Sequence, residues 1–273
     1  MSKRFRSELA SLDKLPNTCL DEVSIDNVEV VKALCYPFEK GSTRVCIERV
    51  ERLLSTGIDV VCSWGLSELP GSRLRVLGKG HSSVVLSAFS NKLGLVAIKV
   101  RRLDSKRQSL VQEALLLREA SMTGASPHVY YYDDDMIVMD AVLGPSLEKR
   151  IRENGLTERT LEEVLDTVRA LDVAKILHLE LSRPWRNLVF TCESPWCKAL
   201  VIDLESAKRG CGNLLLVLGG LASISSQLMS IVAELRDNLR EYLKSECSKK
   251  KYEEIKKAML EVVKGKKLDL NLN

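Results

Sequence analysis

The stretch Gly78-Lys79-Gly80-His81-Ser82-Ser83-Val84-Val85 constrains this chain more than any other, because a strand and not a helix follows its glycines. Glycine removes the Cβ and lets backbone N–H groups approach anionic oxygens. In a dinucleotide-binding unit the same kind of spacing opens a helix, so that fold is disfavoured. Upstream, Arg73-Leu74-Arg75-Val76-Leu77 alternates as a strand does. Downstream, Val84-Val85-Leu86 and Leu95-Val96-Ala97-Ile98 are β-type runs, parted by the turn signal Asn91 to Gly94. The second run ends on Lys99. A lysine directly after an apolar strand must carry its ammonium out of the core or find a partner there. The hairpin length brings Lys99 under the glycine turn, where a phosphate would be such a partner.

Residues 108–121 read as a helix on which Glu113 shares a face with Leu110, Ala114 and Leu117. A carboxylate inside an apolar stripe calls for a cation, and Lys99 is the obvious one. Ile137-Val138-Met139-Asp140-Ala141-Val142-Leu143-Gly144 reads as a strand emptying into a glycine-containing linker, whose backbone could cradle a flat ring. An ordinary strand is the plain alternative.

Later in the chain, Glu180 and Asn187 lie in His178-Leu179-Glu180-Leu181-Ser182-Arg183-Pro184-Trp185-Arg186-Asn187, and Asp203 follows Val201-Ile202. Two carboxylates and an amide oxygen around two short strands are hard ligands of the kind that suit Mg2+. Asp203 is expected to be buried, which is costly without a cation. A long helix is expected to start near Thr160, with Thr160 and Glu163 as a capping box. Thr43 to Ser55 suits an amphipathic helix stopped by Gly57. From Asn213 onward the pattern predicts two helices.

The composition, 45% hydrophobic and 29% charged over 273 residues, is enough for one large domain or two lobes. No apolar run approaches the roughly 20 residues that span a bilayer, and the start of the sequence has no apolar stretch of the secretory kind, so a cytoplasmic protein without membrane contact is expected. The eight cysteines form no CxxC pair. Cys192 and Cys197 flank a Ser-Pro turn as two thiols, or as a disulfide in a thermophile. Residues 249–267 carry eight lysines against Glu253, Glu254 and Glu261. That segment reads as a helix with a solvated basic face, or as a surface for RNA or a ribonucleoprotein.

In this order the pieces match the protein-kinase signature set. The stretch from about Arg73 to Ala207 resembles the small atypical kinases, namely the RIO-type kinases and the kinase of the tRNA-modifying KEOPS complex, and looks closest to archaeal predicted serine/threonine kinases. The resemblance implies an α+β, bilobal kinase-like fold with a β-rich small lobe (73–143) and a reduced, mostly helical large lobe (144–273). Residues 1–72 would be an N-terminal extension or an accessory helical segment.

The resemblance also implies ATP and Mg2+ as cofactors and a protein acceptor. The nucleotide site would comprise Gly78, Lys79, Gly80, Ser83, Val85, Ala97, Lys99, Glu113, Met139, Asp140 and Val142. Asn187 and Asp203 would hold metal, and Glu180, Lys99 and Asp203 would be catalytic. The chain departs from the kinase pattern in four places. Ser83 replaces the third glycine, Glu180 replaces the aspartate base, the base-to-asparagine loop is two residues longer, and Asp203-Leu204-Glu205 lacks the terminal glycine of the magnesium motif. No Ala-Pro-Glu motif follows, so action on extended peptides is not expected. The implied activity is serine/threonine or autophosphorylating transfer. The other reading is a nucleotide-binding pseudokinase or an ATPase-type switch in an RNA- or ribosome-related complex.

Overall fold

Strands and helices alternate irregularly in an α+β arrangement, and every named strand pair is antiparallel. The computed structural model describes residues 19, 21–65, 67–193, 196–264, 268 and 270–272. It divides into two compact units: Met1–Leu115 with His128–Ala141, and Leu116–Pro127 with Val142–Asn273.

The first unit is built on a sheet of seven strands among the described residues. In chain order its strands are β1 (Glu22–Ser24), β2 (Val60–Cys62), β5 (Gly78–Lys79), β6 (Ser83–Ser90), β7 (Gly94–Arg101), β8 (Val129–Tyr132) and β9 (Met136–Asp140); β3 (Ser67–Glu68) and β4 (Arg75–Val76) form a separate two-stranded ladder. The spatial order is β1-β2-β6-β7-β9-β8, with β5 also on β6. The turn between β6 and β7 needs a residue at positive φ, which Gly94 supplies at 74°.

Residues before the glycine turn belong to this unit's core. Helix α1 (Val28–Leu34) is capped by Asn27, and helix α2 (Thr43–Ser55) by Ser42. Val30, Leu34, Leu53 and Ile58 join Val84, Leu86, Val96, Ile98 and Val138 in one buried cluster. Truncating a residue such as Leu53 to Ala would cost about 2–5 kcal/mol. Two disulfides, Cys19–Cys62 and Cys35–Cys46, tie this segment down.

A second tie is ionic. Arg49 on α2 is fully buried; its guanidinium donates to the Leu34 carbonyl at 2.5 Å and to Asp135 at 2.8 Å. Arg52 reaches Asp133 at 2.8 Å and Asp135 at 3.0 Å, and Arg101 reaches Asp135 at 2.7 Å. Burial pushes the Asp135 carboxyl up, but Arg49, Arg52 and Arg101 override this and hold it far below its ordinary value.

Helix α3 (Val111–Met122) runs from residues of the first unit into residues of the second. The second unit continues with α4 (Leu147–Asn154), α5 (Glu158–Val173), β10 (Ile176–His178), the hairpin of β11 (Leu188–Glu193) and β12 (Trp196–Val201), and β13 (Ala207–Arg209). The cap of α5 differs from expectation. Thr157, not Thr160, accepts the first N–H, from Thr160 at 3.1 Å. The Thr160 hydroxyl is buried and accepts from Arg150 at 3.0 Å, so it is not available as a cap.

Beyond Asn213 the expected two helices are four: α6 (Asn213–Ala222), α7 (Ser226–Glu234), α8 (Arg236–Lys244) and α9 (Lys249–Val263). The last break is set by positive φ at Glu246 and Cys247, and Cys247 is disulfide-bonded to Cys211. Buried Asp172 accepts from the N–H groups of Gly212 at 2.7 Å and Asn213 at 2.9 Å, and from Tyr242 Oη at 2.8 Å. It thereby satisfies the open N-terminus of α6. Cys197 is disulfide-bonded, and the side chain of Cys192 lies outside the described residues. Among the described residues no helix is long and apolar enough to cross a membrane.

Candidate functional site

In the first unit the glycine turn is a tight hairpin: Gly78 and Lys79 pair with Val85 and Val84, and the Gly80 N–H donates to Ser83 O at 2.9 Å. Neither Gly78 nor Gly80 is among the residues at positive φ. A Cβ at Gly78 would meet nothing within 4 Å, and one at Gly80 would meet only Ser83 O, at 3.7 Å. Neither backbone conformation nor internal packing requires glycine at these two positions. What glycine provides there is open backbone. Ser83 is buried and Val85 half-buried on the following strand.

Lys99 lies opposite Val85 on one side and Ile137 on the other. Its Nζ is 2.6 Å from Glu113 Oε1, with the two side chains 4% and 0% exposed. Glu113 stands in the first turn of α3, where the helix dipole favours negative charge. The sequence reading missed Arg107, whose guanidinium is 2.7 Å from Glu113 Oε2 and also donates to Ser109 O. Arg107 stands in the basic run Arg101-Arg102-Leu103-Asp104-Ser105-Lys106-Arg107, outside any strand or helix period, so only its proximity to Glu113 in sequence hinted at the pairing.

Ala97 and Met139 are buried and lie opposite each other on β7 and β9. The Asp140 carboxylate is already committed: it accepts from the His128 N–H at 2.9 Å and from Tyr130 Oη at 2.5 Å. That hydrogen bond, with burial, pushes the Tyr130 phenol up to about 12. Any contact of Asp140 with a ligand would therefore run through its main chain.

In the second unit Val142 begins the half-buried stretch before α4. Gly144 there is a glycine of necessity: a Cβ would lie 1.6 Å from Phe190 O. Glu180 sits in the 3-10 turn Leu179–Ser182, exposed. Asn187 Nδ2 donates to Glu180 Oε2 at 2.9 Å and lies 3.3 Å from His178 Nε2. With Nε2 as acceptor, His178 carries its proton on Nδ1, 3.2 Å from Ser206 Oγ. His178 is fully buried, and its N–H donates to Asn213 Oδ1 at 2.8 Å, so it is a post for the loop. Both of these Asn187 bonds use its amide nitrogen. Ser206 and Asn213 were not legible as parts of this arrangement, because nothing in their spacing links them to His178.

Asp203 corrects an expectation. It is exposed, so its charge carries no burial cost. It is distinguished by its backbone, a non-glycine residue at φ 64°, immediately after the Ile202 N–H bonds to Asn187 O at 2.9 Å. The β11–β12 hairpin thus fixes Asn187 and the start of the Asp203 turn together.

On α9 two of the lysines are already paired: Lys251 with Glu241 and Glu254, and Lys256 with Glu162 and Asp166. Lys249, Lys250, Lys257 and Lys264 are exposed. Lys266 and Lys267 lie outside the described residues.

No protein-family model matches this chain, and no curated protein sequence matches it.

Proposed function

We propose that this chain is an ATP- and Mg2+-dependent, protein-kinase-like phosphotransferase of reduced bilobal form, acting on serine or threonine hydroxyls or on itself. One observation carries the reading. A buried Lys99–Glu113 pair has its lysine within β7, opposite Val85, and Val85 pairs on its other side with Gly78 of a turn whose two glycines have no conformational or packing cause of their own. Burying a lysine and a glutamate is costly, and a triphosphate lying on open backbone gives both features a purpose.

The residues divide the work by chemistry. Lys99, held by Glu113, meets the α- and β-phosphates, and Gly78 to Ser83 cover them. The Asp203 carboxylate and the Asn187 carbonyl oxygen are hard donors that fit Mg2+. When bound, Mg2+ neutralises charge on the phosphates. Glu180, exposed and oriented by the Asn187 amide, accepts the proton of the acceptor hydroxyl.

Single-turnover transfer from labelled ATP tests this. Wild-type chain should yield labelled product, and Asp203→Ala and Lys99→Met should abolish it. Absence of product from the wild type, or undiminished product from Asp203→Ala, overturns the assignment.

The second reading is a nucleotide-binding switch that does not transfer phosphate. It is favoured by the Glu180–Asn187 bond, which occupies the would-be base in a loop two residues longer than the kinase pattern. ATP-dependent thermal stabilisation without labelled product would select it. An RNA partner, in either reading, would use Lys249, Lys250, Lys257 and Lys264. Changing these four to Ala should then abolish salt-sensitive RNA binding.

A further inference from the structure

The glycine turn is anchored from outside its own hairpin. Arg102, just past the end of β7, donates from its backbone N–H to Ser82 O at 2.8 Å. Its guanidinium donates to Gly80 O, also at 2.8 Å. The same guanidinium is fixed by a bidentate pair with Asp104, at 2.8 and 2.7 Å. It also lies 5.1 Å from the ring centroid of Tyr36, and Lys79 of the turn lies 5.0 Å from that same centroid.

Tyr36 belongs to the N-terminal segment. It is the residue after disulfide-bonded Cys35, and its carbonyl accepts from the Leu103 N–H at 2.9 Å. A glycine turn is loose by composition. Here Arg102 binds two of the turn's carbonyls, and Arg102 and the turn's own Lys79 both lie over one aromatic ring from far upstream in the chain. A guanidinium fixed by a carboxylate fork and an aromatic face loses little further freedom when it binds a carbonyl.

We propose that Arg102 and Tyr36 are positioning residues that set how far the Gly78–Ser83 turn opens, so that the N-terminal segment governs nucleotide admission. This rests on the nucleotide-binding reading of that turn. Asp104 is the group that aims Arg102, and Lys79 is the turn's own handle on the ring. The contacts of Lys79 and Arg102 with Tyr36 are made to its ring.

The test has two readouts. The first is amide hydrogen exchange of the peptide covering residues 78–83 in the chain without nucleotide. Arg102→Ala and Tyr36→Leu should each raise exchange there by roughly tenfold, while Tyr36→Phe leaves it unchanged. The second is ATP·Mg2+ kinetics. The same two variants should raise KM by roughly tenfold with kcat within about twofold of wild type, as expected for loss of binding shared by ground and transition states.

Unchanged exchange in Arg102→Ala overturns the proposal, as does equal loss of protection in Tyr36→Phe and Tyr36→Leu. If Arg102→Ala and Tyr36→Leu do not fold, Arg102→Lys decides. A lysine cannot hold both Asp104 oxygens and Gly80 O, so wild-type exchange in that variant would also overturn it. Raised exchange combined with no nucleotide binding by any form, wild type included, would uphold Arg102 and Tyr36 as positioning residues of the turn but overturn their role in nucleotide admission together with both nucleotide-binding readings.

Discussion

Two charged clusters inside the first unit make an instructive pair. One is Lys99, Arg107 and Glu113; the other is Arg49, Arg52 and Arg101 around Asp133 and Asp135. The first joins residues 14 and 6 apart in sequence, beside a turn with open backbone. The second joins residues up to 86 apart and fastens α2 to the turn between β8 and β9. Buried charge is therefore no mark of a site by itself. Its surroundings decide: one cluster borders a turn that has no internal use for its glycines, and the other joins a helix to a turn between two strands.

The comparison breaks first on stability. Arg49→Ala should cost about 3–5 kcal/mol, since it strips a fully buried cation from Asp135 and from the Leu34 carbonyl. Denaturant titration reads this directly, and a loss below about 1 kcal/mol would show that the cluster is not holding α2. Next, removing the Cys35–Cys46 bond as a double serine variant should cost about 2–3 kcal/mol, because that bond closes a loop of separation 11 just ahead of Arg49. Thermal melting with and without reductant reads it.

Lys99→Met should cost only about 1–2 kcal/mol, because Glu113 keeps Arg107 as a partner. The same variant should lose the whole ATP-dependent rise in Tm. A stability loss as large as that of Arg49→Ala would erase the distinction between the clusters.

The smallest effect is in pH. Asp135 is held below its ordinary value of 3.8. Its contribution is thus complete above that value and drains away as the pH falls below it toward the folded-state pKa. Asp135→Asn should be less stable than wild type at pH 7, with the gap narrowing below about pH 4. A gap independent of pH would assign the loss to packing instead. Stability measured by denaturant at pH 7, 5, 4 and 3 distinguishes the two.

Legibility followed sequence distance. The β6–β7 hairpin, α2 from Thr43 to Ser55 and the Lys99–Glu113 pair could be read from local period and composition, because each is made by residues close in the chain. Strands β1 and β2 could not, being three residues each and paired only through the sheet. The same holds for the cysteines, since eight of them allow 105 connectivities. Arg107 and the Asp133-Asp134-Asp135 turn follow no local period that would name their partners, which stand on other elements. Asp203 was singled out through an assumption of burial, whereas its backbone conformation is what sets it apart. The solvated basic face expected of the C-terminal helix is narrower than the sequence suggested, because α5 and α8 offer carboxylates to Lys251 and Lys256.

Gly144 ends as the opposite kind of glycine from Gly78 and Gly80. Its α-carbon lies so near the Phe190 carbonyl that not even a methyl group can enter. In a saturation library scored by cellular abundance, that codon should come back as glycine alone, while codons 78 and 80 should admit many residues. Scored instead by ligand-dependent survival, the permissive pair should become the restricted one, and the two maps together would separate what the fold demands from what a ligand demands.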